Sequence, residues 1–435
     1  MRKLRSLTAV TIALVVGACS TGASGRTGES PAASASVGAG NVALYDDSRV
    51  HDIDVTFDKA AYDEMVAAYA SNRDKDWIEA TVTIDGVAVE KVGMRLKGNS
   101  SLRSVSTSGG TQPQSLPWLI RFDKYVDGQT YQGHTDLVIR GNNSKTSINE
   151  AVALDLIDLA GEATQASIAT RFSINGSADV LRLAIELPND DWDDENFDTD
   201  GVLYKAESTG DYSYRGDNPD AYADVFDQES DTDDENLAPL IDFLKFINTS
   251  SDSAFAADLS KHFDVDAFAR YLALQELVNN FDDIDGPGNN SYLRYDESTK
   301  KFTVLSWDMN LAFGSMPGGN MGGGGPGGQR GAPPAGGFAA GGPGAQPPAG
   351  GAAGGAPRGG PGGRSNILVQ RFQANATFAA LVAKARTDLT AQLFTSGKGV
   401  QVVDKWSALL TAQASDLVDA ATIDREAAAI RTQVD

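Results

Sequence analysis

Between Gly314 and Gly363 the chain is almost entirely glycine, proline and alanine, with Met316, Met321 and Phe338 as its only large apolar residues. Such a run cannot bury enough apolar surface to repay the entropy of ordering it, so 314–363 is expected to be a disordered insertion. Any compact body must then be assembled from the sequence on either side, the two flanks meeting around the excursion. With 435 residues in all, those flanks are long enough to bury a substantial core.

Charge and composition narrow the chemistry. A formal charge of −23 would repel a phosphate backbone over most of the surface, which argues against nucleic acid as a partner. The three histidines, His51, His134 and His262, are far apart, and there is one cysteine. A Cys/His zinc site, a Cys-His nucleophile and an internal disulfide are therefore all disfavoured.

The cysteine has a better use. Residues 1–18 combine a basic start (Arg2, Lys3, Arg5), an apolar run from Leu7 to Val16, and small residues before Cys19. That pattern resembles a lipoprotein-type signal peptide, whose cleavage before Cys19 would leave the chain membrane-anchored by lipid on that residue; an ordinary secretory signal cut nearby or a short anchor helix is the alternative. The apolar run is short for a transmembrane span. Residues 19–41, rich in Ser, Gly, Ala and Thr, read as a flexible tether. The expected location is outside the cytoplasm, attached to the cell envelope.

Folded structure is expected from 42 onward. Strands are predicted at His51–Phe57, Ile78–Ile84 and Val87–Leu96, with Asp85-Gly86 as a hairpin turn. Asp58 is placed to cap a helix over Lys59–Tyr69. Further strands are expected at Trp118–Phe122, Leu137–Asn143, Ala166–Ile174 and Leu181–Ile185, the last two joined at Asn175-Gly176. Between them Ser147 is placed to cap an amphipathic helix, Ile148–Ala160. Helices then dominate: Leu237–Asn248, Asp252–Lys261, Asp264–Asn280 and, beyond the insertion, Asn366–Ala385, Asp388–Phe394 and Val402–Thr432. A β-rich half with one central helix followed by a helix-rich half is an α+β fold.

Two acidic stretches lie between the halves. Asn196, Asp198, Asp200, Gly201 and Glu207 match a calcium-loop template, but an acidic turn feeding a hairpin explains them as well. Asp217–Glu235 reads as a solvated loop.

The chemistry-bearing stretch is Asn279–Gly314. Asp282, Asp283 and Asp285 sit in a glycine-containing loop, Asn289 and Asn290 precede a strand from Tyr292 to Tyr295, and a second strand, Lys301–Leu305, leads to Asp308. An acid, a downstream amide and a second acid after a hairpin are the parts of a phosphoryl-transfer site. One carboxylate orients a hydroxyl, while the amide oxygen and the other carboxylate hold Mg²⁺ against phosphates. The same clusters are also ordinary turn chemistry, and spacing alone leaves both readings open. Lys97-Gly98-Asn99-Ser100-Ser101 raises the same choice: backbone N–H groups free to approach phosphate beside Arg95 and Lys97, or a plain turn with solvated bases.

Taken in order, NNFDD, GNNSYLRYD and SWDMNLAFG resemble the core signature of the CotH kinase family. VGMRLKGNSS at Val92–Ser101 is similar to that family's Arg-x-Lys-Gly-Asn-Ser block, and GVLYKAE at Gly201–Glu207 to its Leu-Tyr-Lys strand. The resemblance implies a two-lobed, atypical protein-kinase-like fold that transfers the γ-phosphoryl of ATP, with Mg²⁺, to Ser/Thr hydroxyls of a surface or extracellular protein. It implies Asp282 as the residue orienting the hydroxyl, with Asp283 its competitor, and Asp308 with Asn290 (or Asn289) on the metal. Arg95, Lys97, Asn99, Ser100 and Arg121 would serve the nucleotide. Glu150 would orient a phosphate-binding lysine or simply favour its helix dipole, and Glu186 would sit on the hinge side. The insertion would occupy the place of an activation segment. The chain departs from the pattern at Leu119 and Arg121, where relatives carry lysines, at Asn149, where they carry arginine, and at Asn310, where many carry an acid. Those departures favour the alternative of a pseudokinase, adhesin or coat-binding protein that keeps the fold for binding.

Overall fold

The computed structural model describes residues 36–37, 42–102, 105, 112–207, 210–287, 289–315 and 366–435. The expected signal peptide, Cys19, most of the tether and nearly all of the Gly/Pro/Ala-rich run lie outside the described residues. Among the described residues no helix is long and apolar enough to cross a membrane.

The sheet-rich N-terminal half closes on itself. Strands β2 (Val50–Phe57), β3 (Ile78–Ile84), β4 (Val87–Leu96), β5 (Trp118–Arg121), β7 (Asp136–Ile139), β8 (Ser167–Ile174) and β9 (Val180–Ile185) form a seven-stranded barrel in the order β2-β3-β4-β5-β7-β9-β8. Closure comes from parallel pairing of β2 with β8, Val50 opposite Ala169. A short parallel pair, β1 (Ser36–Val37) with β6 (Thr130–Tyr131), lies beside it. Both hairpin turns read from the sequence are formed, with positive φ at Asp85, Gly86, Asn175 and Gly176, as such two-residue turns demand. Helix α1 (Lys59–Asn72) is capped by Asp58, whose carboxylate accepts from the N–H of Ala60 and Ala61.

Alternation along the strands decides what faces outward. Met94, Leu96, Trp118, Ile120, Leu137 and Ile139 fill the barrel interior. Their neighbours Arg95 and Lys97, Leu119 and Arg121, and Asp136, Val138 and Arg140 form one outward face, on which Leu119 and Val138 belong to the central core of the molecule. Helix α2 (Ile148–Ala160) crosses that core. Ser147 does not cap it with its side chain; Thr146 Oγ1 instead accepts from the N–H of Ile148.

Opposite this face stands a second, antiparallel sheet of β10 (Gly201–Ala206), β11 (Phe226–Gln228), β12 (Ser291–Asp296) and β13 (Lys301–Ser306), ordered β11-β10-β12-β13. Val202, Tyr204, Leu293 and Val304 point away into a helical core built with α4 (Ala238–Thr249), α5 (Asp252–His262), α6 (Val265–Leu277), α7 (Ile367–Ala374) and α8 (Ala376–Leu389). Leu203, Tyr292, Leu305 and Trp307 point toward the barrel. Helices α9 (Lys398–Gln413) and α10 (Ala420–Val434) back α2.

Two acidic stretches differ from the sequence expectation. Asp190–Asn196 is a short helix, α3, whose Asn196 side chain donates to Trp192 O, and the segment after it is strand β10. The calcium-loop residues are therefore spread along a helix end and a strand. The run 217–235 is not merely solvated: Tyr222 and Phe226 are buried, and β11 lies within it.

Candidate active site in the cleft between barrel and sheet

The loop after α6 delivers the first carboxylates. Gly286 lets it fold tightly back, since a Cβ there would stand 2.4 Å from Phe281 O and 2.6 Å from Asp282 Cα. Asp283 accepts from the N–H of Asp285 at 3.1 Å, a side-chain turn that shapes the loop. Asp285 in turn accepts from the N–H of Asn366 at 2.8 Å, pinning the loop to α7. Asp282 is directed elsewhere: Asn290 Nδ2 donates to its Oδ2 at 3.0 Å. With its nitrogen committed to Asp282, the Asn290 side chain keeps its oxygen as an acceptor. Asn289 is more buried and its amide reaches only toward Glu207 O, at 3.5 Å.

Strand register brings Asp308 to the same place. The last pair of the β12–β13 ladder is Ser291 opposite Ser306, so Asn290 and Asn289 leave one strand beside Trp307 and Asp308 leaving the other. Asn280 bridges the two sides from below, accepting from the N–H of Asp282 at 3.3 Å and approaching Met309 Sδ at 3.6 Å. Asp282, through its bond with Asn290, and Asp308 thus lie at the same end of the β12–β13 hairpin.

The turn that carries Asp308 is bent at both ends, with φ of 57° at Asp308 and 60° at Phe313, costly for residues with a side chain. Several bonds hold it. Phe313 N–H donates to Val278 O at 2.6 Å and Gly314 N–H to Asn279 O at 3.1 Å. Asn149 Nδ2 on α2 donates to Asn310 O at 2.7 Å, and Gln433 Nε2 on α10 donates to Phe313 O at 3.0 Å. Glu426, also on α10, accepts from the N–H of Lys145 and Thr146 at 3.1 Å, just ahead of α2.

Glu150 does not orient a lysine. Its carboxylate pairs with Arg140 Nε at 2.9 Å, and Arg140 Nη2 pairs with Asp308. Burial works against the Arg140 charge, but Asp308 and Glu150 outweigh it and hold its pKa above the ordinary value. Burial likewise raises the Glu150 carboxyl, opposed by Arg140. Arg140 is therefore a site residue that sequence reading passed over as the end of a strand.

Cations from the barrel form the roof. Lys97 Nζ lies 5.5 Å and Arg140 Cζ 5.8 Å from the centre of the Trp307 ring, and Arg95 stacks on Trp77 at 4.6 Å. Lys75, in the segment between α1 and β3, joins them. None of the Lys75, Arg95 and Lys97 side chains has a hydrogen-bond or ion-pair partner among the described residues, and burial lowers the pKa of all three, that of Lys97 to about 8. Arg121 is different: it is bound by Asp136 at 2.9 and 3.2 Å. From the floor, Lys205 pairs with Glu207. Asp227 stands opposite Lys205 across the sheet, and burial, then Glu207, raises its carboxyl to about 6. Lys75 and Asp227 had no motif to mark them, and Lys205 was visible only as the lysine of the Leu-Tyr-Lys strand.

The remaining predicted residues sit at the edge or away. Asn99 is exposed, and Ser100 opens a short turn, Ser100–Leu102. Glu186 is buried and accepts from the N–H of Ala166 at 2.6 Å, joining β9 to the start of β8. It lines a small polar recess with His134, Asp136, Asn189 and Trp192, where the chain passes from barrel to sheet.

Among the described residues no three His, Cys, Asp or Glu side chains cluster as a metal centre. Two carboxylates and an amide oxygen are nonetheless the hard donors Mg²⁺ takes when waters and phosphate oxygens complete its shell. The family model described as CotH kinase protein matches residues 94–422. No curated protein matches the chain. The chain belongs to the CotH kinase family, and its activity class is kinase-like.

Proposed function

Starting from that membership, we propose that the protein is an ATP- and Mg²⁺-dependent protein kinase acting on Ser/Thr hydroxyls, exported and held at the cell envelope by lipid on Cys19. The observation that carries the reading is the trio Lys75, Arg95 and Lys97. Three half-buried cations with no hydrogen-bond or ion-pair partner among the described residues, in a chain of charge −23, are costly unless an anion completes them, and Lys97 lies over Trp307, the residue before Asp308. A triphosphate meets that need.

In this reading Asp282, its plane fixed by Asn290, accepts the proton of the acceptor hydroxyl and orients it for in-line attack. Asp283 shapes the loop instead. Asp308 and the Asn290 oxygen would hold Mg²⁺, which when bound supplies charge neutralisation at the β- and γ-phosphates. Lys97, Arg95 and Lys75 would bind the phosphate oxygens, and Arg140 would keep Asp308 in place while anchored by Glu150. Arg121, committed to Asp136, is left as a support for that roof.

One observation favours a second reading, a pseudokinase or surface-binding protein: Arg140 already occupies one oxygen of Asp308. Incubation of the soluble domain with labelled ATP and Mg²⁺ and a Ser/Thr-rich acceptor protein separates the two. A kinase labels itself or the acceptor, and Asp282→Ala and Asp308→Ala lose the signal. Label transfer that persists in both variants, or no transfer beside a normal ATP·Mg²⁺ thermal shift, would end the catalytic assignment.

A further inference from the structure

Helix α6 runs between two apolar cores, with Phe268 and Leu272 in one and Ala273 and Leu274 in the other. Gln275 interrupts this apolar run with a side chain only 1% exposed. A buried amide costs stability unless its polar atoms are matched. Here the matching groups come from the two segments that carry the candidate site. Gln275 Nε2 donates to Ser306 Oγ at 2.9 Å and approaches Met309 Sδ at 3.8 Å. Its Oε1 accepts from Asn280 Nδ2 at 2.9 Å.

Each partner is a near neighbour of a site carboxylate. Ser306 ends β13 two residues before Asp308, and Met309 follows Asp308 directly. On the other side Asn280 accepts from the N–H of Asp282 at 3.3 Å and turns its Nδ2 toward Met309 Sδ at 3.6 Å. The backbone N–H of Asn280 donates to Gln275 O at 3.0 Å, which fixes it against the helix end. A chain of bonds thus runs from Ser306 through Gln275 and Asn280 to Asp282, with Met309 closing it across both amides. Gln275, Asn280, Ser306 and Met309 are all buried, where low dielectric strengthens each bond. The strand ladder does not supply this link. It sets Ser306 against Ser291, whereas Asp282 lies in the loop after α6, outside the ladder.

We propose that Gln275 is a positioning residue, whose amide ties the end of α6 to the end of β13 and so sets where Asp282 stands relative to Asp308. The assignment rests on the phosphoryl-transfer reading above and deepens it by giving the two carboxylates a common buried support. In-line transfer is sensitive to that spacing, because the hydroxyl oriented by one carboxylate must meet the phosphoryl group held through the other.

The test is Gln275→Met in the full chain, which keeps side-chain length in the core and deletes the amide. Transfer from labelled ATP·Mg²⁺ to casein is followed. The kcat should fall about a hundredfold, the scale of a misplacement of roughly 1 Å, while KM for ATP·Mg²⁺ and for casein stays within about twofold. In the Asp282→Asn background the same substitution should cost the residual rate little more, since the support then has no working carboxylate to place. Ser306→Ala is the milder change, deleting one oxygen at the β13 end, and should lower kcat about tenfold with KM unchanged. A Gln275→Met protein with wild-type kcat, whatever its melting temperature or KM, would overturn the assignment and leave the kinase reading standing. Full additivity with Asp282→Asn would overturn it too, because the loss would then be a general one. Should Gln275→Met fail to fold, wild-type kcat in Ser306→Ala decides against the proposal. A wild-type protein that labels neither itself nor casein would sink the kinase reading and this assignment together.

Discussion

Two buried arginines, Arg294 and Arg140, sit on the facing surfaces of the sheet and the barrel and do opposite things. Arg294 is closed off. Its Nε and Nη2 bind both oxygens of Asp193 at 2.6 and 2.8 Å, Nη2 also meets Thr199 O, and the guanidinium lies 3.9 Å over the Phe197 ring. Gly201 leaves room for it, since a Cβ there would come within 2.5 Å. Asp193 is 6% exposed, whereas Asp308, the outer partner of Arg140, is 27% exposed. One network is finished and ties α3 to β12. The other is more exposed and lies beside Lys97, which has no hydrogen-bond or ion-pair partner among the described residues. Completed polar networks specify a fold; incomplete ones mark where something else is meant to bind.

The comparison breaks or sharpens under a graded set of substitutions. Asp308→Asn preserves shape and acceptance from Arg140 but removes the charge; phosphoryl transfer should fall by about a thousandfold or more, with a melting temperature near wild type. A variant that keeps its rate would make the open network as structural as the closed one. Arg294→Ala should act the other way, destabilising the protein by about 3–5 kcal/mol through the orphaned Asp193, read by urea unfolding, with ATP·Mg²⁺ affinity of the folded protein unchanged.

Lys97→Met should weaken ATP·Mg²⁺ binding by roughly tenfold without destabilising the ligand-free protein. It also has a pH signature. The Lys97 pKa is depressed to about 8 in the folded state, against about 10.4 for an unfolded chain, so between those values the unfolded state binds more protons. Wild-type stability should therefore rise relative to Lys97→Met as pH climbs through that window, and the charged lysine should cost stability below it. A difference that is flat from pH 7 to 10.5 would mean Lys97 is already neutralised. Smallest is Gln433→Ala. Losing one bond to Phe313 O should cost about 1 kcal/mol of stability and speed amide exchange at Phe313 and Gly314, leaving barrel amides such as Ile53 unchanged.

Local features of this architecture were readable in advance. Asp85-Gly86 and Asn175-Gly176 announced their turns, Asp58 and Asp264 their helices, and the order of acids and amides from Asp282 to Asp308 marked the candidate site. Pairings distant in sequence were not. Barrel closure depends on β2 meeting β8, and no periodicity within either strand encodes a parallel partner. Charge also misled: the acids of 217–235 concealed Tyr222 and Phe226, which anchor a strand and carry Asp227 to the cleft. Glu150 was visible as an acid in a first turn, but its partner, Arg140, lies on a strand whose facing helix only the tertiary structure supplies.

The bond from Gln433 to Phe313 has one further implication. Asp308 is translated more than a hundred residues before α10, so a growing chain carries the turn of Asp308 before it carries the helix that braces it. The order of synthesis thus leaves that turn without its Gln433 bond until α10 has emerged.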